Sequence, residues 1–347
     1  MKALITLFFI TLLAITGVAQ NSWTTQITPN NSVEYATKLI KTQDGGYVTV
    51  LNRVDTMVNF SANIEYNKIA IVKLDANGNI VFNKTINVKD SSLVRVNDFI
   101  ELPTGDFIIV GDIYSPNGQS LMIKTDAQGD TLWTEKLNQM FFKSLVNLST
   151  NKFWTCSGPV PPSSSEIYYF IYEYDYNGNL LNINYQDTMV ILNSFTTKPR
   201  LFKDINDSVF VVGEWKGEGL LSKKMDPFFN KYPLNQTVIP GTGIASDGSL
   251  LGGSGGGLYK VTGRLDSIWL HPASEYEFSW GAGTSQSFTK IKPTADGGFI
   301  TIGNATNGIA DNIFLIKTDA LGNKEFGKMY WAVTSNNIDV VQANDGG

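Results

Sequence analysis

The residues with the widest chemical range in this chain fall between His271 and Ser285, in the run HPASEYEFSWGAGTS. His271 is the sole imidazole, Glu275 and Glu277 are carboxylates two residues apart, and Tyr276, Phe278 and Trp280 are aromatics interleaved with them. Such a set suits a carbohydrate, whose ring faces stack on aromatic planes, or a protein partner anchored by the same aromatics. A second group, Phe60, Glu65 and Tyr66, lies in the long stretch 52–67, and 157–166 is a third extended segment rich in Pro and Ser. Recognition residues concentrate on loops carried by a rigid frame. The candidate ligand-binding residues are therefore His271, Glu275, Tyr276, Glu277, Phe278, Trp280, Phe60 and Tyr66. The bland alternative places Phe278 and Trp280 in a small apolar cluster beneath their loop.

Paired carboxylates open a second possibility, glycan hydrolysis. Glu275 or Glu277 would act with Glu65, Asp112 or Glu214, given two carboxyl groups about 5–9.5 Å apart across a sugar-sized cleft. One histidine rules out multi-histidine metal sites, and any Ser-His-Asp triad would have to use it. Thr42-Gln43-Asp44-Gly45-Gly46 and Thr294-Ala295-Asp296-Gly297-Gly298 echo the Asp-boxes of sialidase-like propellers, without the aromatic that should follow. Sialidases gather three arginines on a carboxylate, and this chain has only Arg53, Arg95, Arg200 and Arg264 to offer. The Asp-x-Asn-Gly-Asn pieces invite a calcium reading, but Gly stands fourth and a strand resumes at once. A hairpin turn explains them. Gly252–Gly257 lacks the Lys and helix start of a phosphate cradle, and reads as a flexible loop or tight bend. No metal or other cofactor is implied.

The elements that must position these loops are short strands. Apolar runs of strand length recur between Gly, Asn and Asp turns, as in Lys290–Lys328 with its Asp296-Gly297-Gly298 and Asp319-Ala320-Leu321-Gly322-Asn323. Units of four strands fall at about 33–88, 93–137, 142–185, 195–234, 236–271 and 285–331. The third loses its first-turn glycines, having Thr150-Asn151-Lys152 instead. A four-stranded sheet cannot bury both faces alone, so such repeats pack radially as propeller blades. The expected fold is all-β, a propeller of four-stranded blades. The strand-like 22–27 and 337–347 would share a split blade, giving seven, with the chain truncated inside the last. The domain would span 20–347.

IKTQDGGYVTV, IVKLDANGNIVFNKTI, MIKTDAQGDTLWTEKL and FLIKTDALGNKEF resemble the repeats of secreted bacterial β-propellers, often exported by a type IX system. That resemblance implies fold and export, and it implies no catalytic residues. The turn-plus-Trp pattern from Asp126 to Trp133 also resembles quinoprotein-like propellers, but no set of cation and stacking residues for a quinone is visible.

Composition agrees with an exported β protein. The chain has 347 residues, 42% hydrophobic and only 17% charged, with net charge −5 and no basic run. That disfavours nucleic acid and anionic membrane surfaces as partners. Lys2, the apolar 4–15, and Gly17 and Ala19 form a secretory signal over 1–19. No further hydrophobic segment follows, so no membrane span is expected. Cys156 is the single cysteine, so no intrachain disulfide forms and packing must supply stability. The reading is a non-catalytic, secreted, monomeric scaffold binding carbohydrate or protein on its loop-bearing face.

Overall fold

The computed structural model describes residues 25, 27, 33–54, 68–88, 94–113, 119–138, 140–148, 151–159, 166–190, 200–203, 209–215, 219–225, 231–232, 243–245, 247–254, 257–261, 267–276, 285–306, 311–331 and 338–343. Among these, twenty-four strands form six four-stranded antiparallel sheets, each built from four consecutive strands. Sheet one holds β1 (Val33–Lys41), β2 (Tyr47–Val54), β3 (Lys68–Leu74) and β4 (Ile80–Ile86). Sheet two holds β5 (Val94–Glu101), β6 (Phe107–Ile113), β7 (Gln119–Thr125) and β8 (Thr131–Asn138). Sheet three holds β9 (Met140–Leu148), β10 (Lys152–Pro159), β11 (Glu166–Asp175) and β12 (Leu180–Val190). Sheet four has β13 (Arg200–Lys203), β14 (Val209–Trp215), β15 (Gly219–Met225) and β16 (Lys231–Tyr232). Sheet five has β17 (Gly243–Ile244), β18 (Leu250–Ser254), β19 (Gly257–Val261) and β20 (Ser267–Pro272). Sheet six has β21 (Ser285–Pro293), β22 (Phe299–Thr306), β23 (Asp311–Thr318) and β24 (Lys324–Trp331).

The fold is an all-β propeller of four-stranded blades. First strands contact first strands in chain order, β1 with β5, β5 with β9, β9 with β13, β13 with β17 and β17 with β21, so they line the axis. Burial follows from that position. β6 is buried at every residue, because a neighbouring sheet covers each face, whereas outermost β8 and β20 show a wet face and a half-covered one. Apolar cores lie between sheets. Val48, Ile69 and Ile71 meet Phe99, Phe107 and Ile109 between sheets one and two. Phe142, Phe153 and Tyr174 meet Ile108, Val110 and Met122 between two and three. Leu251 and Leu258 meet Phe288, Phe299 and Phe314 between five and six. Each such side chain contributes about 1.5–3 kcal/mol of burial, most of it offset by chain entropy, so a blade depends on its neighbours.

A second device recurs at the rim. In β4, β8 and β20 the third residue, Phe82, Trp133 or Trp269, is aromatic and lies against a glycine in the next sheet's last turn. A Cβ on Gly129 would stand 2.8 Å from Phe82, and one on Gly178 3.0 Å from Trp133. These glycines also have φ of 81° and 89°, so both conformation and space demand them.

Seven blades are not found. Described residues 338–343 form no strand, and of 22–27 only Thr25 and Ile27 are described, also outside any strand. The two termini nevertheless meet on sheet one, where Ile27, Val341 and Ala343 pack against the cluster of Tyr47, Leu51, Val72 and Leu74. Asp339 joins the first and last sheets. It accepts the Leu39 backbone N–H at 3.0 Å and Lys292 Nζ, on β21, at 3.1 Å. Ala295 of sheet six donates its N–H to Gln342 at 2.6 Å. Asp98 does the same job between sheets one and three, taking Lys38 at 2.5 Å and the Leu145 N–H at 2.7 Å. The ring is therefore closed by an irregular wedge that reuses an inter-blade carboxylate. Residues 1–19, read above as a secretory signal, lie outside the described residues.

Candidate functional site

The candidate loop begins on β20, whose alternation turns Trp269 and His271 toward sheet six and leaves Ile268 and Leu270 exposed. Trp269 packs at 6.0 Å from the Phe299 ring and 5.3 Å from His271. The chain then makes one 3-10 turn, Ala273–Tyr276. Tyr276 is fully buried, edge-on to Phe288, and its hydroxyl donates to the Gly322 carbonyl at 2.7 Å. Burial raises its pKa. It belongs to the core between sheets five and six and offers no face for a ligand, a correction to its reading as a recognition aromatic. An aromatic ring beside a sheet interface gains more by burial than by exposure.

His271 and Glu275 are also engaged. Glu275 Oε2 lies 2.5 Å from His271 Nδ1, and the Leu321 carbonyl oxygen lies 2.9 Å from Nε2. The Glu275 hydrogen bond raises the His271 pKa above its ordinary value, against a smaller lowering by burial. His271 is thus an inter-sheet residue, linking β20 to the last turn of sheet six. Glu277, Phe278, Trp280, Phe60, Tyr66 and Glu65 lie outside the described residues.

Of the remaining carboxylates proposed for glycan cleavage, Glu214 sits on β14 with its backbone opposite Leu220. Asp112, on β6, is buried between sheets two and three. Its Oδ2 accepts Lys143 Nζ at 2.5 Å and Asn97 Nδ2 at 2.8 Å. That is a latch like the one Asn52 makes at the matching position of sheet one, whose Oδ1 takes the Val96 N–H at 2.7 Å.

The turn motifs resolve in favour of structure. Asp75 Oδ1 accepts the N–H groups of Asn77 and Asn79, and Oδ2 takes the Asn79 side-chain amide at 2.8 Å. Asp175 and Asp319 repeat that set with Asn179 and Asn323. Both carboxylate oxygens thus serve the turn itself, which lowers the pKa of Asp75 and Asp319. The Asp-box-like turns are ion-paired to the third strand. Thr42 donates to Asp44, which also takes Lys73 at 2.5 Å; Thr294, Asp296 and Lys317 repeat this with 2.7 Å for the pair. Gly252 and Gly253 lie inside β18 and pair with β19, Cβ atoms there colliding with Tyr259 and Phe288. Residues 252–256 also spell G-x-S-x-G, but the run enters a hairpin and not the strand-to-helix turn a nucleophile elbow requires. Cys156 is buried, and burial pushes its thiol up to about 12, so it is inert.

Sequence reading missed the third-strand lysines. Their signal is a Lys two residues before the Asp that opens the last turn, at Lys73, Lys124 and Lys317.

This geometry defines the class of the chain as a β-propeller. No family model matches the sequence, and the comparison with curated proteins finds no match. Solved structures do match in fold. A quinonprotein alcohol dehydrogenase-like protein from Bacteroides thetaiotaomicron superposes with TM-score 0.54 at 10% identity, over 86% of this chain and 68% of that one. A protein of unknown function from Dyadobacter fermentans gives TM-score 0.51 at 9% identity, over 85% and 94%. An α-L-arabinofuranosidase from Fusarium graminearum, in complex with an iminosugar inhibitor, gives 0.50 at 10% identity, over 82% and 93%.

Proposed function

We propose that this chain is a non-catalytic, secreted β-propeller serving as an extracellular or cell-surface binding scaffold. One observation carries the reading. Each described side chain that could have done acid–base work in the candidate loop or with it is already engaged: His271 and Asp112 hold one blade to the next, and Glu275 is hydrogen-bonded to His271. Lys2, the apolar 4–15 and the small Gly17 and Ala19 support export, and the likeness to type IX-associated propeller repeats supports that route. Carbohydrate or protein would be taken by the loops 52–67, 157–166 and 271–285, with Trp280 as the anchor and the protein acting as a monomer.

A second reading, glycan hydrolysis, draws on the arabinofuranosidase neighbour, with which only the fold is shared. One experiment separates the two: the full chain is applied to a glycan array and incubated with p-nitrophenyl α-L-arabinofuranoside and with arabinan. The scaffold reading expects binding without product, reduced at least tenfold in Trp280→Ala. Nitrophenol or arabinose release that saturates with substrate would overturn it in favour of the hydrolase.

A further inference from the structure

We propose that His271 is held as the doubly protonated imidazolium and makes the joint between sheets five and six a pH-sensitive clamp. Nδ1 faces a carboxylate oxygen of Glu275 at 2.5 Å, and Nε2 faces the Leu321 carbonyl oxygen at 2.9 Å. Both partners accept and neither can donate. A neutral imidazole carries one N–H, so one of its nitrogens would present a lone pair to an oxygen lone pair. Only the charged ring satisfies both contacts at once.

The surroundings favour that state. The charged groups facing the ring are Glu275, from the 3-10 turn, and Asp319, from the turn between β23 and β24; both are acidic. Tyr276 packs edge-on to the imidazole and holds Gly322, the residue after Leu321, by its hydroxyl. Gly322 lets the ring approach, since a Cβ there would stand 2.7 Å from His271 Cδ2. The ring is thus inserted between β20 and the sheet six turn, and each of its nitrogens holds one side.

The sign follows from the raised pKa. The unfolded value is near 6.5, and the folded value lies above it. The stabilisation is complete below the unfolded pKa and is lost as pH rises through the folded one. The clamp is closed in mildly acidic medium and opens toward alkaline pH.

With a single histidine in the chain, the 15N-labelled full-length protein gives one imidazole pattern, which can be followed from pH 5 to 9. Both ring nitrogens should be protonated at pH 6, with a midpoint above 6.5. Amide exchange at Gly322 and Asn323, corrected for its intrinsic pH dependence, should rise about 2- to 10-fold across the same midpoint, the loss of one hydrogen bond. Glu275→Gln, which keeps the turn's size, should move the midpoint down, and His271→Gln should abolish the exchange step. A midpoint at or below 6.5, exchange that is flat through the titration, a midpoint unmoved by Glu275→Gln, or a step persisting in His271→Gln would each overturn the clamp.

Discussion

Sheets two and three carry an ion pair at matching positions with its polarity reversed. In sheet two, Lys124 on β7 meets Asp106 in the β5–β6 turn at 3.1 Å. In sheet three, Glu173 on β11 meets Lys152, the first residue of β10, at 2.9 Å. The reversal has a cause one strand away. Ile108 of β6 is replaced on β10 by Trp154, wholly buried, whose indole N–H donates to Glu173 Oε2 at 2.9 Å. A buried N–H needs an acceptor, and a lysine there could only donate. Glutamate must therefore stand on the third strand, and its counter-charge must come from the residue that opens the second. The blade requires a pair at this place, and the neighbouring core residue decides which end is positive.

The difference between the blades can be broken at its origin. Trp154→Ala should cost about 3–5 kcal/mol in urea unfolding, against about 0.5–1.5 for Ile108→Val at the matching site. Equal costs would show that Trp154 is not the residue on which sheet three is arranged. The pairs themselves allow a finer test. Exchanging both partners in sheet two (Lys124→Asp with Asp106→Lys) should recover most of the stability lost by either single change. The same exchange in sheet three (Glu173→Lys with Lys152→Glu) should remain about 1–3 kcal/mol short, because the indole N–H is left without its acceptor. Similar recovery in both sheets would refute the causal link to Trp154. The smallest effects belong to the turns. Gly105, at φ 84°, should lose about 1–2 kcal/mol as Ala, whereas Asn151→Gly, at φ 56°, should change thermal stability by less than about 0.5. A large loss in Asn151→Gly would mean that the asparagine side chain, and not its left-handed backbone, holds that turn.

Much of the fold is legible in the chain because its information is local. Each Asp-x-Asn-Gly-Asn turn contains its own donors and acceptors, and the strands between turns are short enough to be read from their apolar runs. Even the loss of the first-turn glycines at Thr150-Asn151-Lys152 has a local answer. Asn151 is the described non-glycine residue with positive φ, and asparagine tolerates that region better than most. What was not legible is relational. Asp339 looks like one more residue of an inner strand, and only the arrival of Leu39 and Lys292 from two different sheets makes it a joint. His271, Glu275 and Tyr276 have the right types for a binding loop. The engagement of His271 with Leu321 and of Tyr276 with Gly322, some fifty residues on, leaves no trace in local spacing. The blade count failed for the same reason: strand-like letters at both termini do not state whether they pair.

The wedge at 338–343 has a consequence for how the protein is made. Leu39 and the carboxylate that secures it lie 300 residues apart, so sheet one leaves the ribosome long before its cover exists. Tyr47, Leu51, Val72 and Leu74 remain an uncovered apolar face on the nascent chain until almost the whole described sequence has been translated. The first blade synthesised is the last to be sealed, and the time spent waiting sets the window in which a chaperone, or another unfinished copy, can reach it.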